Sequence, residues 1–248
     1  MRPSVTAAVV VRVLTQLRHD RRTLAMLLLL PCLILSLLRW IYQDQSQAFD
    51  GLAPAMVALI PFIVMFLVTS VTTLRERSSG TLERLLAMPM GKVDLLLGYA
   101  VAFGLMATAQ STLLVALCIG PLGMDVQGDV WMLVVVAVAN AVLGTVSGLF
   151  VSAFARTEFQ AVQFMPAVVI PQILLCGLFV PRDQLPAALE LVSDLMPLSY
   201  AVDAITLVAE GAGGHGLGSD VVQDLAVNLG FTVALLGLGA ATLRRRTA

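Results

Sequence analysis

Six long apolar stretches, at roughly 23–43, 52–74, 96–120, 130–154, 160–180 and 225–243, leave this chain few folds to choose from. A bilayer core about 30 Å thick is crossed by about 20 apolar residues wound as a helix. An open strand in lipid would leave unpaired amides costing several kcal/mol each. The sequence therefore predicts an all-α integral membrane protein with six transmembrane helices. Composition agrees: 58% of the 248 residues are apolar and 12% charged, with a mean hydropathy of +0.92. Soluble chains run at about 45–50% apolar and about 25% charged, so too little polar material remains to cover a water-facing surface.

Met1 to Arg22 is interrupted by Arg2, Arg12, Arg18, Arg21 and Arg22, and is expected to carry no removable signal peptide. Cys32, Cys118 and Cys176 all fall inside apolar runs and read as packing residues rather than a disulfide framework. No similarity relates the first three spans to the last three, as it would in an inverted-repeat transporter.

Charge sorts cleanly between alternate loops. One side holds Arg2, Arg12, Arg18, Arg21, Arg22, Arg75, Arg77, Arg84, Lys92, Arg156, Arg244, Arg245 and Arg246. The other holds only Arg39 and Arg182, and collects Asp44, Asp50, Asp125, Asp129, Asp183, Glu190, Asp194, Asp203, Glu210, Asp220 and Asp224. The positive-inside rule puts both termini in the cytoplasm. Arg39, beside Trp40 and Tyr42, fits an outer interfacial belt with a snorkelling arginine.

Three segments outside the spans carry structure of their own. Residues 5–20 place Val9, Val10, Val13, Leu14 and Leu17 on one helical face and Arg12, Thr15, Gln16 and His19 on the other. Such a helix lies in the cytoplasmic interface, or packs as a solvated helix on another subunit. Residues 75–90 form a cytoplasmic connection in which Ser79-Gly80 breaks the incoming helix, Leu82, Leu85 and Leu86 make a short stripe, and Pro89 disfavours continuation. Residues 183–210 hold two moderately apolar pieces separated around Met196-Pro197, too short to cross and read as a re-entrant helix pair in the outer leaflet.

Reactive chemistry is hard to assemble from what remains. A membrane enzyme needs acids, bases or metal ligands gathered at one depth. Here His19 and His215 fall on opposite sides, and none of the 16 acidic residues lies in the middle of a span. Proton or sodium coupling lacks its midplane ionisable group for the same reason. Gln110, Ser111, Asn140 and Gln172 are read as interhelical hydrogen-bonding groups or as contacts to a transported molecule. No phosphate-binding loop is present: Lys92 follows Gly91, but Leu86 stands where the first glycine belongs. The chain itself is expected to hydrolyse no ATP and to bind no cofactor or metal.

Against that background, three features match in order. They are the amphipathic first helix, the segment Glu76-Arg77-Ser78-Ser79-Gly80-Thr81-Leu82-Glu83, and Gly177-Leu178-Phe179-Val180-Pro181 followed by Met196-Pro197-Leu198-Ser199-Tyr200-Ala201-Val202-Asp203. Together they resemble the ABC type-2 permeases, a family that includes daunorubicin-type drug exporters and lipid or polysaccharide exporters of bacteria. The resemblance spans the whole chain and implies a single transmembrane domain in the bacterial plasma membrane. It further implies an ABC ATPase in two copies that binds ATP and Mg²⁺, and a second permease chain, identical or related.

On that resemblance Glu76, Arg77, Gly80, Thr81, Leu82 and Glu83 become the coupling residues of a small helix seated in the ATPase; otherwise they cap a helix end. The same resemblance places a transport path between two copies along spans two and five. Phe62, Met65, Phe66 and Thr69 would line it from one span, and Phe164, Met165, Gln172 and Phe179 from the other. Flexible Met and flat aromatic side chains suit an apolar ligand, and they suit ordinary helix packing even better. Export of an amphiphilic drug, natural product or lipid is the reading this supports. Polysaccharide or lipid-linked glycan export, a non-transporting scaffold, and a membrane enzyme are the alternatives.

Overall fold

Local signals cut the apolar runs into helices. Asp20 caps one helix by accepting from Thr23 N, and Thr157 caps another by accepting from Gln160 N, each worth about 1 kcal/mol. Pro197 sits at the first turn of a third, where its missing N–H has no partner to lose. Gly177, at φ 90°, turns the chain out of a fourth.

A computed structural model describes residues 3–79, 92–155, 157–212 and 218–242. The elements are α1 (Pro3–His19), α2 (Arg21–Ile41), α3 (Ser46–Ser78), α4 (Lys92–Ile119), α5 (Val130–Ser152), α6 (Glu158–Leu175), a 3-10 turn (Arg182–Gln184), α7 (Ala187–Asp194), α8 (Pro197–Ala209) and α9 (Ser219–Thr242). Every regular element among the described residues is helical. Six of them, α2 to α6 and α9, are long and apolar enough to cross a membrane. The helices α7 and α8 meet at 89°, the break predicted at Met196-Pro197. A short helix expected within residues 81–89 lies outside the described residues.

Boundaries differ from the hydropathy reading in informative ways. The fifth span ends at Leu175 rather than 180, because Gly177 takes a left-handed conformation and Leu178 to Val180 continue as non-helical chain. The sixth begins at Ser219 rather than 225, with Asp220 in its first turn, where a carboxylate favours the helix dipole. The second extends to Ser78, well past the apolar run, since Arg75, Glu76 and Arg77 are themselves good helix formers.

At the centre, α3 and α5 touch backbone to backbone. A Cβ added at Gly144 would lie 2.4 Å from the Phe62 carbonyl oxygen, and one at Gly148 would lie 2.4 Å from that of Phe66. Small residues at this spacing let membrane helices approach closely enough for dispersion to hold them. Pro61 removes one hydrogen bond from α3 and crowds the preceding turn. Asn140 of α5 donates to the nearby Ala58 carbonyl at 2.8 Å.

The first helix places its apolar face on the bundle. Val9, Val13 and Leu17 are buried with Leu27 of α2 and Leu95, Tyr99 and Phe103 of α4. Gly98 makes this approach possible: a Cβ there would fall 2.6 Å from Val9 Cγ1. The amphipathic pattern specified the helix, while the notch at Gly98 selects the surface its face covers.

Candidate functional site

The last turns of α3 carry Arg75, Glu76 and Arg77 in succession, and each reaches a different part of the bundle. Arg75 donates through Nε and Nη2 to both carboxylate oxygens of Glu158, at 3.1 and 3.3 Å, linking α3 to the start of α6. Both partners are largely exposed, so this pair contributes at most about 1 kcal/mol.

Glu76 points the other way and is only 7% exposed. Tyr99 Oη of α4 donates to its Oε2, and Arg12 Nη2 of α1 lies 3.4 Å from its Oε1. A buried carboxylate is tolerable when paired and hydrogen-bonded, and here two separate helices supply the partners. The Tyr99 ring stacks on Phe103, centroids 6.3 Å apart, which fixes the direction of its hydroxyl.

Arg77 Nη1 donates to the Ser152 carbonyl at the last residue of α5, 2.8 Å away. A cation at a helix C-terminus satisfies a carbonyl with no intrahelical partner and sits favourably in the dipole field. Three consecutive side chains thus tie the end of α3 to α1, α4, α5 and α6. Thr73, Arg77, Leu95, Tyr99, Ser152 and Gly239 of α9 surround a small cavity directly beneath.

Of the coupling residues expected from sequence, Glu76 and Arg77 are both in this junction, facing inward. Gly80, Thr81, Leu82 and Glu83 lie outside the described residues. Arg12 and Tyr99 were not among the site residues anticipated. Tyr99 left a signal: a phenol one turn inside an apolar span needs a polar partner nearby.

The path residues are separated by the fold. Phe62, Met65, Phe66 and Thr69 on α3 are fully buried, with the Phe62 and Phe66 rings 6.5 Å apart. On the fifth span, Phe164 packs beside Leu74, Ala155 and Ala161, and Met165 lies against the main core. Phe179 is 66% exposed in the segment after α6. Gln172 spans α6 and α8: its Nε2 donates to Val168 O at 3.1 Å, and its Oε1 accepts from Leu198 N at 3.4 Å. It therefore meets a free amide in the first turn of α8.

At the opposite, acidic end, Arg182 is the hub. It donates to Asp194 and Asp203, to Ser193 Oγ at 3.0 Å, and lies over the Tyr200 ring at 5.0 Å. Ser193 bonds Ser199 Oγ at 3.0 Å, and Tyr200 Oη donates to Asp194 O at 2.8 Å. The segment Met196 to Asp203 is thus built to lock α7, α8 and the end of α6 together. Arg39, the other cation here, donates to Leu122 O at 2.9 Å and lies over Phe49.

Six span-length helices, a charged junction at one end and a bent helix pair locked at the other define a multi-pass helical membrane protein. The family model described as ABC-2 type transporter matches residues 5–208, and the chain belongs to that family. It is 28% identical over 171 residues to ABC transporter G family member 20 of Dictyostelium discoideum, covering 68% of this chain and 23% of that protein. In Escherichia coli (strain K12) it is similar to Probable multidrug ABC transporter permease YbhR, 29% over 150 residues, covering 60% of this chain and 41% of the relative. It is also similar there to Inner membrane transport permease YhhJ, 29% over 195 residues, with 77% and 52% covered. The chain spans between about a quarter and about half of the length of these relatives.

Proposed function

We propose that this chain is the membrane-spanning subunit of an ATP-driven exporter that moves an amphiphilic drug, natural product or lipid out of the cytoplasm or the inner leaflet. The observation that carries the reading is the junction at the end of α3. Arg75, Glu76 and Arg77 bind α1 and three further spans to the end of α3, two residues before residues 80–83 in sequence. A load applied to that segment or to α1 is passed at once to most of the bundle. Such a connection suits a protein that is moved from outside by a nucleotide-driven partner.

The basic end then faces the cytoplasm, in keeping with the positive-inside rule, and an ABC ATPase holding ATP and Mg²⁺ docks there. Residues 80–83 make the contact, and Glu76 and Arg77 transmit it. Two permease chains associate, identical or related, and cargo passes between them along the second and fifth spans toward the segment after α6, where Phe179 is already exposed. Phe62, Met65, Phe66 and Thr69 reach it only in a state in which α3 has rotated away from α5. The relatives named as multidrug permeases support a drug-like cargo.

Co-purification of the tagged chain with a candidate ABC ATPase in nanodiscs, with hydrolysis measured in the presence and absence of the chain, tests the reading. A stable complex whose hydrolysis changes on Glu83→Ala supports it. A chain that purifies alone with every ATPase supplied, and leaves hydrolysis unaltered, removes it in favour of a scaffold.

A further inference from the structure

We propose that Arg18, Arg21 and Arg22 form a headgroup site for an anionic phospholipid whose acyl chains lie along the outer face of α2. Arg22, Met26, Leu29, Leu30, Leu33, Leu37 and Trp40 recur at helical spacing and make one continuous exposed stripe, with Met26 69%, Leu33 65% and Trp40 70% exposed. Arg22 and Trp40 are separated by about 27 Å at 1.5 Å per residue, close to the roughly 30 Å of a hydrocarbon core. Tryptophan marks one membrane interface. The guanidinium of Arg22 therefore sits at phosphate depth in the other leaflet, directly above an apolar row.

Among the described residues the local charge is uncompensated. Arg18 lies exposed in the last turn of α1, and Arg21 and Arg22 lie exposed in the first turn of α2. Arg21 and Arg22 oppose the positive end of the α2 dipole, so their presence calls for an anion, whereas Arg18 is favoured at the negative end of α1 and adds its charge to the same place. Asp20, the carboxylate that lies between Arg18 and Arg21 in sequence, is engaged by Thr23: its Oδ1 accepts from the backbone N at 3.1 Å and its Oδ2 from the hydroxyl at 2.7 Å. Arg75 is neutralised by Glu158. Among the described residues, Arg18, Arg21 and Arg22 form no ion pair.

Guanidinium groups match a phosphate bidentately. A soluble partner would engage such a patch without regard to what lies below it. Here the row that continues from Arg22 along Met26, Leu29 and Leu33 is apolar and uncovered, so the fitting ligand is anionic at one end and hydrocarbon along the rest. A phosphodiester lipid with a net negative headgroup has that form, whereas a zwitterionic lipid presents its own cation to the arginines.

The test uses the full chain purified in dodecyl maltoside, with dioleoylphosphatidylglycerol and dioleoylphosphatidylcholine as probes, read by native mass spectrometry and by the unfolding midpoint. Each arginine near an anionic headgroup strengthens binding roughly five-fold, so R18Q/R21Q/R22Q is expected to weaken phosphatidylglycerol binding on the order of a hundred-fold. Binding of phosphatidylcholine stays unchanged, and R22Q alone gives an intermediate loss if the triple variant folds poorly. Equal binding of the two lipids by the wild type overturns the proposal, as does equal phosphatidylglycerol binding by wild type and R22Q. Full displacement of phosphatidylglycerol by inorganic phosphate reassigns the patch to a free anion. Loss of ATPase capture in R22Q with lipid binding intact reassigns it to a protein surface. Either result overturns the lipid site.

Discussion

Tyr99 donates its phenolic proton to Glu76, and this one bond joins the foot of α4 to the end of α3. The same carboxylate meets Arg12 of α1 at 3.4 Å, so three helices share a single buried anion. Removing one partner is worse than replacing the set, because what remains is an unpaired charge.

Glu76→Gln is accordingly expected to lower stability by about 3 kcal/mol, toward the low end for a broken buried pair because Arg12 is partly exposed and can turn to water. Tyr99→Phe keeps the ring on Phe103 and loses about 1.5–3 kcal/mol, the range for a hydrogen bond to a charged group. Unfolding in detergent measures both. The double variant should lose clearly less than the sum; strict additivity would mean that the two groups do not interact.

The α3–α5 contact makes a sharper steric prediction. Gly148→Leu forces a side chain into the Phe66 carbonyl, and overpacking of this kind costs about 1–3 kcal/mol or more. Gly237 has no heavy atom within 4 Å of its virtual Cβ. Gly237→Ala should leave the melting temperature unchanged or raise it slightly, through helix propensity alone. Equal effects at the two positions would contradict the close approach.

Asp20 supplies the pH dependence. The bonds from the Thr23 hydroxyl and backbone hold its carboxyl below the usual aspartate value. Its contribution to stability is therefore complete above about pH 4, the unfolded value, and is lost as pH falls through the lower folded value. In an acid titration of unfolding, wild type should lose a small increment in that window relative to Asp20→Asn. The increment is modest because the group is exposed. A difference that appeared only near neutrality would assign the effect to another group.

Arg182→Gln frees Asp194 and Asp203 at once and leaves Ser193 with one fewer partner. Hydrogen exchange should accelerate across residues 187–209 and stay unchanged in α3. Asp194→Asn alone should do little, since that carboxylate is about half exposed and water can replace the arginine. Gln172→Leu should accelerate exchange only at the first turn of α8, where Leu198 N loses its acceptor.

Much of this architecture was legible from hydropathy and charge, because both are properties of single segments. The spans, the amphipathic first helix and the break at Pro197 needed no knowledge of neighbours. What each polar residue does was less accessible. Gln172 reads as an interhelical hydrogen-bonding group before it reads as a ligand contact, and only the position of α8 reveals that its partner is a backbone amide. Glu76 lies in a charged run that suggests a solvated surface, yet it is turned inward by Tyr99 and Arg12, residues 23 and 64 positions away. The apolar count alone overshoots where a left-handed glycine ends a helix early, as at Gly177, whereas the end of α3 at Ser78 falls at the Ser79-Gly80 break that the residues indicate.

From Phe62 to Ser78 the third helix contains neither proline nor glycine, whereas Pro54 and Pro61 both fall in its other half. The stretch beyond Pro61 is therefore a stiff lever, with its fulcrum where Phe62 rests on Gly144. Glu76 stands about 21 Å along that arm, so a tilt of roughly ten degrees displaces it by about 4 Å. Motion barely visible at the fulcrum becomes, at the charged tip, a displacement larger than a hydrogen bond is long. That makes the tip the place where small rearrangements in the middle of the bundle are converted into made or broken contacts.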